Sequence, residues 1–155
     1  LNVMVPHYGV AFWRAKKGFP MMAKLMRKYP GLYVDTSLGT REILIDGLVR
    51  LGEPGHYEAF VAFLQEFPDR IMFGTDAVIT GNKEKTISWY RHVIAATRDQ
   101  LEQDSFLFPL AEGYSRYFKK GRDPTGRLRG VGLSDEVLQK IYVDNAERWL
   151  AGRGE

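Results

Sequence analysis

The chain contains no cysteine, which excludes a disulfide framework and any zinc site built on thiolates. Histidine is scarce too: three in 155 residues, so a metal centre made mainly of imidazoles would use nearly all of them. No apolar run approaches the roughly 20 residues that a membrane span requires. The opening Leu1 to Pro6 is too short for a signal peptide, and no charged segment precedes it. Acidic residues are missing from the first 30 positions, where Arg14, Lys16, Lys17, Lys24, Arg27 and Lys28 are the only charged side chains.

What is present is the composition of a folded domain. Hydrophobic residues make up 45%, charged residues 26% and aromatics 13%, enough material for a core in one domain of ordinary size. A second basic stretch includes Arg116, Lys119, Lys120, Arg122, Arg127 and Arg129. The formal net charge is nevertheless only +3, small for a nucleic-acid-binding module. The basic clusters are therefore read as solvated helix faces, or as loops that meet an anionic substrate. These features indicate a soluble, cytoplasmic α/β-type domain with no membrane or nucleic-acid partner.

Short β-type runs alternate with helical ones. Val3, Met4 and Val5 form an apolar strand stopped by Pro6, and Leu32-Tyr33-Val34 and Ile71-Met72-Phe73 are two more. Helical spacing links Met21, Met22, Leu25, Met26 and Tyr29 after Pro20. A helix capped by Thr40 carries Ile43, Leu44 and Leu48, and another carries Tyr57, Phe60, Val61, Leu64 and Phe67. Thr86 caps a helix with Ile87, Tyr90, Val93, Ile94 and Leu101. The last helix starts at Ser134 and presents Val137, Leu138, Ile141, Tyr142, Asn145 and Trp149. Residues 106–131 have no clean period and read as a lid or irregular excursion. His56 and His92 are expected to face solvent.

Strands alternating with helices imply parallel pairing, and chemistry in such sheets gathers at the carboxyl ends of the strands. The residues there are His7, then Asp35, Thr36 and Ser37, then Asp76. Three parallel strands cannot close a barrel, which needs eight strands and about 250 residues. Their outer ladders are expected to be covered by a partner or by self-association.

Four segments now stand in a telling order. They are Val3-Met4-Val5-Pro6-His7-Tyr8-Gly9, the run from Tyr29 to Ser37, Ile71-Met72-Phe73-Gly74-Thr75-Asp76, and Lys140 to Arg148 with its Asn145-Ala146-Glu147-Arg148 close. Together they resemble the amidohydrolase-related family of metal-dependent hydrolases and decarboxylases. The resemblance implies an α/β chain forming part of a TIM-type (β/α)₈ barrel, roughly its last three strands with their helices. It implies that His7 is catalytic, acting on the substrate or orienting a metal-bound water, and handling protons there. It implies that Asp76 is both catalytic and a ligand of a divalent metal, zinc or else manganese. Asp35 is implied to be structural, capping the following turn, while Asn145 and Arg148 tie the closing helix to the barrel floor or neighbouring loops. The substrate would be a small anionic molecule. The family's His-x-His pair has no counterpart here, so this chain is expected to hold an incomplete metal site and to be inactive by itself. Two alternatives from other classes stay open. A non-catalytic α/β binding module would need a glycine-rich phosphate loop after the first strand, where only Gly9 and Gly18 stand. A basic nucleic-acid-binding module would need its charges on one face.

Overall fold

Three short apolar runs build the sheet because each is too brief for a helix and is flanked by turn residues. In the computed structural model, which describes residues 2–9, 11, 17–38, 47–79, 81, 83, 85–108 and 126–152, they are β1 (Val3–Val5), β2 (Leu32–Asp35) and β3 (Ile71–Met72). The strands are parallel in the order β1-β2-β3, with Val5 opposite Val34 and Val34 opposite Ile71. Parallel neighbours require crossovers, supplied by helices α1 (Gly18–Lys28) and α2 (His56–Glu66). The expected Thr40 cap, with Ile43 and Leu44, lies outside the described residues. Residues 47–51 are helical, and Leu48 is buried. The chain is thus α/β, as its alternation of patterns implies.

Aromatic rings dominate the core. Tyr8 and Phe60 meet edge to face with centroids 5.4 Å apart, and Phe19 lies 5.2 Å from Phe60 and 5.3 Å from Phe63. Only one side of the methionine-rich helix points inward. Met22 and Met26 are buried with Phe19 and Ala23, whereas Met21, Leu25 and Tyr29 are exposed. The difference is a narrow buried stripe on α1, set by Phe19 one turn earlier.

Helix α3 (Ile87–Glu102) begins as expected, with the Thr86 hydroxyl accepting from the Trp89 amide at 3.2 Å. The aperiodic stretch after it starts and ends in regular structure. Strands β4 (Ser105–Leu107) and β5 (Arg127–Arg129) pair antiparallel, Phe106 opposite Leu128. Three residues are too few to reveal a period-2 pattern, which is why the sequence shows none. Residues 109–125, the middle of the expected lid, lie outside the described residues. The Arg129 guanidinium stacks 3.3 Å from the Tyr57 ring, and Tyr57 donates to the Gly130 carbonyl at 3.1 Å, docking the ribbon on the start of α2.

The carboxyl-terminal segment is helix α4 (Asp135–Gln139), a π-helical turn (Lys140–Asp144) and helix α5 (Asn145–Ala151). The π-turn has a structural use. Its wider pairing sends the Asn145 amide to the Lys140 carbonyl and leaves the Ile141 carbonyl to accept from Phe73 N–H at 2.9 Å. The fully buried Asn145 side chain donates to Ile71 O at 2.8 Å and to Pro68 O at 2.7 Å. Helical groups therefore satisfy the outer edge of β3. The outer edge of β3 is thus covered from within the chain. Arg148 adds a bond to Asp69 O at 3.3 Å, so Asn145 and Arg148 do tie the closing helix to the amino-terminal side of β3.

Removing the Asn145 amide would leave two carbonyls unsatisfied. Asn145→Ala should therefore lower unfolding stability by about 2–4 kcal/mol, read as a lower urea midpoint. A second expectation concerns pH. Glu102 accepts from Tyr142 Oη at 2.7 Å and from Arg98 Nε at 2.8 Å. The Tyr142 bond, with Arg98 helping, holds this carboxyl below its ordinary 4.5 against the opposing effect of burial. A depressed carboxyl contributes stability that is present above about pH 4.5 and is lost as pH falls through its folded value. Tyr142→Phe should flatten that acid loss in urea titrations between pH 3 and pH 7 (roughly the window on either side of a carboxylate pKa).

Candidate active site

The carboxyl rim of the sheet is organised by the end of its central strand. Asp35 closes β2, and its Oδ1 accepts three hydrogen bonds: the His7 amide at 2.8 Å, the Ser37 amide at 3.1 Å and the Ser37 hydroxyl at 2.5 Å. The Ser37 hydroxyl also lies 2.8 Å from His7 Nδ1. Next to it, Thr36 Oγ1 donates to the Gly74 carbonyl and accepts from the Gly74 amide, both at 3.0 Å. Thr36 N–H also meets Met72 O at 3.0 Å. The Asp35-Thr36-Ser37 run thus holds the segment after β1 with one hand and the segment after β3 with the other. Thr36 and Ser37 are buried.

Those two segments carry unusual backbone. His7, Tyr8 and Gly9 are left-handed in succession, with φ of 60°, 48° and 61°, and Asp76 has φ of 51°. Left-handed conformation is uncommon for a non-glycine residue and a genuine outlier for a bulky ring such as Tyr8. The turn is held by Gly9 N–H to Pro6 O at 2.9 Å and by the Asp35 bond to His7. A Cβ on Gly9 would come 1.8 Å from Met22 Cε. Around Asp76 the carbonyl accepts from Val78 N–H at 2.9 Å. Such strain at two strand ends is a mark of sites where position matters more than local comfort.

Tyr8 follows His7 into the core and is fully buried, with no partner for its hydroxyl among the described residues. Burial pushes its phenol well above the ordinary range, and the charge of Asp35 adds to this. It stays a neutral phenol and anchors the turn that presents His7.

Both expected site residues therefore lie at the same carboxyl edge, beyond strands on either side of β2. Two strand spacings place β1 and β3 about 10 Å apart. The structure brings His7 together with Asp35 and Ser37; no hydrogen bond or ion pair joins His7 to Asp76. The Asp76 carboxylate is half-buried and makes no hydrogen bond or ion pair with another described residue. Asp35 caps the turn as expected and also reaches across to β1. Ser37, which the sequence places at this edge without giving it a role, is the residue that joins Asp35 to the His7 ring. The available signal was its place two residues after a strand-end aspartate, the spacing of an aspartate-capped turn.

An apolar groove of about 540 Å³ begins at Ala77, the residue after Asp76, and is lined by Ala77, Ile79, Ile87 and Ile94 with Lys85 and Arg91. Tyr90 shapes it, donating to Val78 O at 2.7 Å. The helix face formed by Ile87 and Ile94 is exposed toward this groove rather than packed in the core, unlike Val93 and Leu101. His56 differs from expectation: it is 8% exposed, at the first turn of α2, with Nδ1 3.7 Å from Glu53. Its backbone N–H bonds Glu53 O at 3.0 Å, closing the turn before the helix. His92 is half-buried on α3.

A family model for amidohydrolases matches residues 1–151. The chain belongs to the amidohydrolase family. No curated protein and no solved structure gives a significant match. Amidohydrolases are generally metal-dependent, so the donors at this rim can be tested against that requirement. Among the described residues, no group of three His, Cys, Asp or Glu side chains could hold a metal ion. A catalytic zinc takes three protein ligands. Asp76 offers one carboxylate, while His7 Nδ1 and Asp35 Oδ1 are engaged with Ser37. These residues do not by themselves fit a complete metal centre.

The clamp predicts a measurable sensitivity at Gly74. A Cβ there would stand 3.0 Å from both Cγ and Oδ2 of Asp35. Gly74→Ala should displace that carboxylate and lower stability by about 1–3 kcal/mol. Amide shifts at His7 and Ser37 should move with it in a heteronuclear correlation spectrum.

Proposed function

We propose that this amidohydrolase chain supplies one sector of the active site of a metal-dependent hydrolase or non-oxidative decarboxylase acting on a small carboxylated substrate. The observation that carries the reading is the Asp76 carboxylate, without a partner among the described residues, at the same sheet edge as His7, each on left-handed backbone. In this reading the sheet is the last three strands of a (β/α)₈ barrel, and the isolated chain is inactive. Asp76 is one oxygen ligand of a divalent cation, zinc or manganese, whose remaining ligands come from outside the described residues. His7 is the proton-handling group of the rim. The groove beside Asp76 supports the substrate class, since apolar walls with Lys85 and Arg91 suit a small organic anion. The outer edge of β1, with Val3 and Met4 exposed beside it, is where a further strand or a second copy of the chain would pair.

The test uses the chain itself. Calorimetric titration with zinc should give weak binding or none, and manganese should broaden amide signals around Gly74 to Val78. Asp76→Asn should abolish that broadening. Stoichiometric submicromolar zinc binding, lost in Asp76→Ala, would overturn the incomplete site. Broadening that spares Asp76 would overturn its role as a ligand.

A further inference from the structure

The hydrogen count of the Asp35–Ser37–His7 cluster determines which nitrogen of the imidazole carries the proton. A serine hydroxyl has one hydrogen to donate. Its 2.5 Å contact with Asp35 Oδ1 requires that hydrogen, because Oδ1 already accepts the His7 and Ser37 amides and acts as an acceptor throughout. Were the hydroxyl turned toward the ring instead, two oxygens would face each other 2.5 Å apart with no hydrogen between them. The 2.8 Å contact between Ser37 Oγ and His7 Nδ1 must then be donated by the ring. The same count rules out Ser37 as a nucleophile activated by His7, since its hydrogen points away from the imidazole and its side chain is 2% exposed.

We infer that Ser37 and Asp35 are positioning residues that lock His7 in the Nδ1–H tautomer and leave Nε2 as the ring atom presented to substrate. The chain of donors runs from His7 Nδ1–H to Ser37 Oγ–H to Asp35, ending on a carboxylate. It fixes the ring plane as well as the tautomer, because the His7 backbone amide is bound to the same oxygen. A ring tethered at both its amide and its Nδ1 has little freedom to swing. Nε2 has no partner among the described residues, as a group kept for an incoming molecule requires. The tautomer stands on the geometry alone; its value to catalysis rests on the proton-handling role proposed for His7.

The experiment is a long-range ¹⁵N–¹³C or ¹⁵N–¹H correlation spectrum of the metal-free chain, at a pH high enough to keep the ring neutral. In the wild type, Nδ1 of His7 should show the protonated pattern and Nε2 the unprotonated one. Ser37→Ala should shift the population toward the Nε2–H form, and Ser37→Thr, which keeps the hydroxyl, should restore it. Folding of each variant is checked by the unchanged dispersion of the remaining amide signals. An Nε2–H ring in the wild type overturns the inference without need of any variant, and so does an Nδ1–H ring that persists in a folded Ser37→Ala. Because neither metal nor substrate is present, failure of the proposed activity would leave this result standing, and the reverse also holds.

Discussion

A single carboxylate oxygen, Asp35 Oδ1, is the point on which the rim depends. It lies at the end of the central strand, where the sheet stops supplying backbone partners, and it accepts three donors drawn from two segments. Hydrogen bonds to a charged acceptor are worth about 1.5–3 kcal/mol each, more than neutral ones. That is comparable with the cost of holding His7 and Tyr8 in left-handed backbone, of order 1–3 kcal/mol per residue. The strained turn persists because the carboxylate and the buried Tyr8 ring hold it from opposite ends. Thr36 performs the matching task for β3 through Gly74, so the end of β2 is bonded to both neighbouring strand ends.

The same economy explains how so small a sheet avoids one raw edge. A regular α-helix spends the carbonyl of Ile141 on its own ladder. The π-turn frees that carbonyl, and the adjoining Asn145 amide supplies two donors. A helix thereby does for β3 what a fourth strand would do. The buried asparagine is specific in a way an apolar residue could not be, since it reads the carbonyls of Pro68 and Ile71 and thus sets the register of helix against strand.

Much of this is legible in the sequence. Continuous apolar triplets bounded by proline, glycine and aspartate located β1, β2 and β3 to within a residue; the burial on both faces that such a run implies holds for β3 and the middle of β2, whereas Val3 and Met4 of β1 are exposed. The family motifs led to His7 and Asp76 at strand ends and to Asn145 and Arg148 as ties. What stayed hidden has physical reasons. The β4–β5 ribbon is shorter than one alternation can show. A π-turn depends on a carbonyl taken by a distant strand, which no local propensity encodes. His56 is buried in the fold, although glycine, proline and glutamate around it read as surface. The Ser37 contact joins residues 30 apart, and only pairing of β1 with β2 reveals it.

The distribution of tethers then distinguishes the two residues proposed to carry the chemistry. His7 sits on a turn that is fixed at every point: amide, ring nitrogen and following side chain each have a defined neighbour. Asp76 shares the left-handed backbone but not the tethers, and its carboxylate has no described partner. Under the proposed function, a tethered imidazole and a carboxylate without a described partner are complementary demands on one rim, since proton transfer needs fixed geometry whereas a ligating oxygen must remain available to its ion. The clamp through Asp35, Thr36 and Ser37 meets both. It spends its polar atoms on His7 and on the Gly74 backbone, and holds the segment that carries Asp76 in place without engaging the carboxylate itself.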